Sequence, residues 1–237
     1  MPNRIIARFL ATALTCGLLT SVGLTAVAGA APDREADGAV VVRALGQTDD
    51  EMGAGTIVGV AGNTVTIITA KHVATYGPMN ITFADGTRAD AKIVSMVPGR
   101  DLALASADVD PAFAASLHVA QIGHPASNLP VHVWGSGLNG PAFEPGSIKS
   151  VGADLPDGAA GARYALDCAL CHQGDSGAGV FDAHGQLVGI YVGFFVMDTG
   201  RLSVAEEPLD SKTLAAIGVG SHAANVTAYA ATVPATK

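Results

Sequence analysis

Short runs of β-branched and apolar residues, punctuated by Gly, Asn, Asp and Pro, recur along most of this chain. Residues 40–42, 55–60, 64–69, 80–83, 91–97 and 102–105 form a first set. Gly62-Asn63 is a two-residue hairpin signal between two of these runs, and Ala84-Asp85-Gly86 marks another turn. Residues 106–117, with Asp108, Asp110 and Pro111, interrupt the pattern and read as a linker. The pattern then restarts at 119–122, 131–134, 146–151, 164–168, 179–182, 187–195 and 202–205. Two successive sets of about six short strands predict an all-β fold of antiparallel barrels or sandwich halves. Residues 221–232 are alanine-rich and lack glycine and proline, which predicts a short C-terminal helix capped by Ser221.

The first 30 residues break from this pattern. Arg4 and Arg8 precede an uncharged, mostly apolar run over 9–27, which ends in Ala28-Gly29-Ala30. A positive start, an apolar middle and small residues at the end are the features of an export signal, with the mature chain starting near Ala31. The run is long enough to cross a bilayer, but its Thr, Ser and Gly residues and its A-x-A ending favour removal. The expectation is a secreted or periplasmic protein with no stable membrane association after cleavage. Cys16 is lost with the signal, leaving Cys168 and Cys171, which could pair in an oxidising compartment.

Composition supports this picture. Of 237 residues, 49% are hydrophobic and 14% charged, and glycine, at 29, far outnumbers the aromatics. Without the two arginines of the signal, 11 basic face 21 acidic residues, a balance of −10. Nothing here could track a phosphate backbone, so nucleic acid is not an expected partner.

Three separated blocks carry candidate chemistry. Thr69-Ala70-Lys71-His72-Val73 places a histidine just past a strand end, anchored by the sheet yet able to face a cleft. Arg100-Asp101-Leu102-Ala103-Leu104-Ala105 puts an aspartate immediately before an apolar strand. Gly174-Asp175-Ser176-Gly177 sets a serine between glycines in a tight turn. A serine hydroxyl attacks poorly at neutral pH unless a base lies within hydrogen-bond reach and N–H groups face the developing oxyanion. Histidine, aspartate and serine in that order, 29 and then 75 residues apart, could provide the base and its orienting carboxylate.

With these blocks, TAKHV, RDLALA and QGDSGAGVF, continued by Leu187-Val188-Gly189-Ile190, the sequence resembles the trypsin-like (chymotrypsin-fold) serine peptidases. It is most similar in type to compact bacterial members such as the glutamyl endopeptidases and the high-temperature-requirement proteases. The resemblance spans roughly 38–230. It implies two six-stranded antiparallel β-barrels, at about 38–107 and 118–215, with the site in the crevice between them. Ser176 would be the nucleophile, His72 the general base and Asp101 its orienting partner, with Gly174 and Ser176 N–H groups forming the oxyanion hole. Protein or peptide substrates are implied, with endopeptidase activity, no cofactor, no metal and a monomeric state.

The sequence departs from the family in places. No Ile-Val-Gly-Gly start is present to supply the N-terminus that pairs, in digestive members, with the aspartate matching Asp175. That residue must find another partner. Leu170 falls near the position where trypsins keep the aspartate that binds Arg or Lys, so cleavage after basic residues is not expected. Leu170 with Phe194 favours a small or medium apolar residue, while His172 and Tyr191 leave room for an acidic one. Tyr191, Val192, Gly193 and Phe194 would line the edge along which a substrate strand pairs.

Two rival readings come from the same stretch. Cys168-Ala-Leu-Cys171-His172 matches the c-type haem attachment motif. Against it, the motif leads without a gap into Gly174-Asp175-Ser176, where a haem would crowd the loop, and a local Cys168–Cys171 disulfide is the stronger expectation. A catalytically inactive binding protein on the same fold is the other rival. His118, His124 and His132 lack zinc-motif spacing, and Asp49-Asp50-Glu51 reads as an acidic turn rather than a calcium loop.

Overall fold

A computed structural model describes residues 38–45, 50–75, 77–135, 142–151, 163–198 and 200–217. The expected export signal at 1–30 and the expected helix at 221–232 both lie outside these residues.

The first barrel is built from β1 (Ala39–Leu45), β2 (Asp50–Ala61), β3 (Thr64–Ala70), β4 (Met79–Thr82), β5 (Arg88–Met96) and β6 (Leu102–Asp108). It closes in the order β1-β2-β3-β6-β5-β4. All its pairings are antiparallel, so no edge is left open. Gly62 takes a φ of +64° at the β2–β3 turn, a value the missing Cβ permits at a two-residue hairpin. Period-two alternation sends Val40, Val42, Ile57, Val65, Ile67 and Ile81 into the barrel interior.

The second barrel uses β8 (Pro130–Gly135), β9 (Ala142–Val151), β10 (Arg163–Asp167), β11 (Gly179–Asp182), β12 (Gln186–Met197) and β13 (Gly200–Glu206). The order β11-β8-β9-β10-β13-β12 closes through β11–β12. The two-residue strand β7 (Gln121–Ile122) adds to β12 in parallel, so the expected strand at 119–122 survives only as an edge. Along β8, Val131, Val133 and Gly135 face inward. His132 faces outward and stacks on Phe143 and Phe181, while Trp134 meets Phe143 edge-on.

The expected linker at 106–117 is more ordered than its composition implied. β6 runs to Asp108, and α2 (Pro111–Ser116) follows, with Asp110 accepting from Ala112 N and Phe113 N and proline in its first turn. α1 (Lys71–Ala74) follows β3 directly. α3 (Ser211–Ala216), capped by Asp210, ends the described chain inside the region assigned to the second barrel. Its Leu214 joins a cluster with Ile68, Leu102 and Leu104 of the first barrel and Phe181, Leu187 and Ile190 of the second. This shared apolar layer fixes one barrel against the other, as burial of several such side chains at about 2 kcal/mol each would.

Candidate active site

The register between β3 and β6 sets the first half of the site. Ala70 pairs with Leu102, so the chain leaves β3 into His72 beside the point where Asp101 enters β6. α1 begins at Ala70 without a side-chain cap of its own. Asp101 supplies it from the start of the neighbouring strand: Lys71 N donates to Asp101 O (3.0 Å) and His72 N to Asp101 Oδ1 (2.9 Å). The other carboxylate oxygen, Oδ2, lies 2.7 Å from His72 Nδ1. Because a carboxylate can only accept, Nδ1 carries the hydrogen, and Nε2 is the ring atom left to act on a third group. Buried Val73 and Ala74 anchor the helix from below.

Asp101 is itself held by a residue that carried no signal in the sequence. Glu206, at the end of β13 and 1% exposed, accepts from Asp101 N (3.0 Å) and Arg163 Nε (2.6 Å) through Oε1 and from Arg100 Nε (3.2 Å) through Oε2. Arg100 also reaches the Glu207 carbonyl. A second-barrel carboxylate thereby braces the first-barrel aspartate. Glu206→Ala should destabilise the fold by about 3 kcal/mol, because it leaves two guanidinium groups without their shared anion. Urea unfolding reads this directly, and a loss below about 1 kcal/mol would mean that water replaces the carboxylate.

Ser176 comes from the second barrel, in the turn before β11. Its carbonyl accepts from Ala54 N of β2 (2.8 Å), Gly177 N donates to Tyr191 O (2.7 Å), and Ala178 N donates to Asp175 O (2.8 Å). Gly177 has a φ of +94°, and a Cβ there would stand 2.1 Å from Ala54 O. Only glycine lets this loop press onto the first barrel so closely. Gly174 is likewise left-handed, at +95°.

His72 and Ser176 line one cleft of about 470 Å³ between the barrels, together with Met52, His172, Gln173, Gly174, Gly193 and Phe194. Of the residues expected to meet substrate, Gly193 and Phe194 are in that wall. Leu170 is 60% exposed and outside it, whereas Tyr191 is fully buried in the second-barrel core. Val192 sits where the β12–β13 register slips between Tyr191 and Gly193, and it packs against the first-barrel core. Such a bulge re-aims one side chain relative to the strand's alternation. Arg201 lies over the Phe194 ring, 3.7 Å from its centroid, and donates to the Tyr191 hydroxyl (3.3 Å).

The missing partner of Asp175 is three residues away. His172 N donates to Asp175 Oδ2 (2.8 Å), and His172 Nδ1 lies 2.5 Å from the same oxygen. Cys168 and Cys171, both buried, form a disulfide. With both sulfurs joined to each other, neither is free to form the thioether bonds by which a c-type haem is attached. Glu144, buried on β9, places Oε1 3.7 Å from His172 Nδ1 and Oε2 3.7 Å from Cys168 Sγ. Burial, then the charge of Asp175, pushes its carboxyl up to about 7, against the pull of His172 and Arg201. A carboxyl raised from 4.5 favours the folded chain in its neutral form; that contribution is complete below about pH 4.5 and is lost as pH rises through about 7. Glu144, His172 and Asp175 converge closely enough to suggest a metal. The 2.5 Å separation of Nδ1 and Oδ2 is a hydrogen bond, however, since two ligands of one ion sit roughly 3 Å or more apart at zinc bond lengths.

Two closed barrels, a His–Asp pair on one, a glycine-bordered serine on the other and a cleft between them define a chymotrypsin-type architecture. The chain belongs to the trypsin-like peptidase domain family, which matches residues 53–190. No curated protein matches it significantly. Among solved structures it is similar to the HtrA-type protease AlgW with tripeptide (20% identity, TM-score 0.64, 77% of this chain and 60% of that one). It is also similar to a serine endoprotease from Yersinia pestis (23% identity, TM-score 0.59, 74% and 60%). AlgW with decapeptide gives 18% identity and a TM-score of 0.61 over 78% and 64%. At these identities the likeness is one of fold, and this chain spans about three fifths of the length of those proteins.

Proposed function

We propose that this chain is an exported serine endopeptidase that hydrolyses peptide bonds through an acyl-enzyme. Ser176 Oγ attacks the scissile carbonyl while His72 Nε2 takes its proton, and the N–H groups of Gly174 and Ser176 receive the oxyanion. His72 then delivers that proton to the leaving amine, and water, activated by the same imidazole, releases the acid product. Asp101 keeps the Nδ1–H tautomer and balances the imidazolium. The observation that carries this reading is the double grip of Asp101 on His72, through backbone and ring, in a cleft that Ser176 also lines.

Substrate would lie as an extended strand along Gly193 and Phe194, the cleft-lining end of β12. No carboxylate is among the described cleft-lining residues, so a basic residue before the scissile bond finds no counter-charge. Export rests on the 1–30 segment, and the Cys168–Cys171 disulfide suits an oxidising compartment. We read the mature form as a monomer, released from the membrane once the 1–30 segment is removed.

A fluorophosphonate probe should label the protein at Ser176, and a peptide library should be cleaved with a preference other than Lys or Arg. Failure to label and to cleave would leave a binding protein on a peptidase fold. Dominant cleavage after Lys or Arg would overturn the specificity.

A further inference from the structure

The loop that presents Ser176 is closed on itself by its own first residue. Between His172 and Asp175 run three hydrogen bonds: His172 N and the ring Nδ1 both reach Asp175 Oδ2, and Asp175 N donates back to His172 O (3.3 Å). The segment so closed contains Gln173 and Gly174, both in the cleft wall, and leads directly to Ser176. Asp175 is fully buried, and Gly135 makes room for it: a Cβ at Gly135 would stand 2.2 Å from Asp175 Oδ1. Glu144 approaches the same His172 nitrogen from β9. The imidazole is therefore set between two buried acids while its outer face forms part of the cleft, and its side chain is 40% exposed.

A surface histidine does not need this arrangement. A carboxylate buried at the base of a turn does need donors, and His172 supplies both its amide and its ring nitrogen to the same oxygen. We propose that His172 is a positioning residue: its Nδ1–H, by holding Asp175, orients the Gly174–Ser176 backbone so that its N–H groups face the oxyanion. The inference rests on Ser176 being the nucleophile. Loss of the Nδ1–H would let the turn relax, and displacing a donor there costs about as much as removing one, roughly a hundredfold in kcat.

The test uses His172→Ala, His172→Asn and His172→Gln in the full chain. An asparagine amide nitrogen falls near the place of Nδ1, whereas a glutamine amide nitrogen falls nearer Nε2. On a fluorogenic peptide that the wild type cleaves, His172→Ala should lose about a hundredfold in kcat with KM within threefold. Affinity for a peptide aldehyde of the same sequence, whose adduct carries an oxyanion, should fall by a similar factor. His172→Asn should stay within about fivefold of wild type and His172→Gln should resemble alanine. Alanine within threefold of wild type, or asparagine no better than glutamine, overturns the proposal. Should the alanine variant fail to fold, the asparagine–glutamine comparison alone decides. A wild type inert to both peptide and fluorophosphonate sinks the proposed function and this inference with it, whereas an active wild type matched by its alanine variant sinks the inference alone.

Discussion

Ser176→Ala should reduce peptide turnover by about a millionfold, the loss that removing the nucleophile causes in an unrelated serine protease. The substitution deletes one oxygen. It leaves in place the backbone links through which this residue organises the loop, Ser176 O with Ala54 N and Gly177 N with Tyr191 O. Stability should consequently stay within about 0.5 kcal/mol of wild type, as for other substitutions that touch no core contact or cap. Activity and folding are thus separable in this variant. Fluorophosphonate labelling should vanish in parallel with peptide hydrolysis. Residual turnover above about 1% of wild type, with the protein folded and free of contaminating peptidase, would show that another group is the nucleophile.

The parts of the site that were legible in the sequence are those that a strand register brings together. His72 and Asp101 lie 29 residues apart, yet Ala70 and Leu102 are paired neighbours. Apolar runs at 64–69 and 102–105 were enough to anticipate that each residue sits at a strand end. Ser176 was legible for a different reason: glycine on both sides is the local cost of a tight turn, visible without knowing what the turn touches. Two sets of short antiparallel strands followed from β-branched runs and turn residues, which are local signals as well, whereas the closure of each set into a barrel came from the family resemblance.

What escaped the sequence depends on contacts between distant elements. Glu206 is one acid in Ala205-Glu206-Glu207-Pro208, and nothing nearby announces that Arg100, Arg163 and the Asp101 amide converge on it. Val192 was expected, with Tyr191, Gly193 and Phe194, to line the substrate edge on the strength of the family resemblance, whereas regular strand alternation would turn only every second of these residues to one face. The register slip after Tyr191 breaks that alternation, and bulges have no reliable residue signature here. The helix at 111–116 is a different kind of omission. Asp110 followed by Pro111 is a cap followed by a first-turn proline, a signal that was present but outweighed by the acidic, loop-like composition around it. His172 was conspicuous as the last residue of a haem motif and as leaving room for an acidic substrate residue, and nothing in the sequence tied it to Asp175, whose family counterpart pairs with a chain terminus.

Asp101→Asn should lower kcat by about ten-thousandfold while leaving the fold in place. The size of the effect follows from a single hydrogen. In the wild type, Oδ1 accepts from the His72 amide and Oδ2 accepts from His72 Nδ1, so both carboxylate oxygens are acceptors. Asparagine keeps one acceptor and replaces the other with an NH₂ group. The backbone bond needs an acceptor and is fixed by α1, so the amide oxygen stays on His72 N and the NH₂ turns toward the ring. Nδ1 must then accept, the hydrogen moves to Nε2, and the imidazole presents a donor where Ser176 needs a base. Because Asp101 N remains bonded to Glu206, the loop keeps its position and the loss falls on the tautomer. The His72 ring signals in a ¹⁵N spectrum should accordingly switch from Nδ1–H to Nε2–H. Near-normal turnover with the Nδ1–H tautomer retained would show that Asp101 serves as a helix cap and does not take part in the triad.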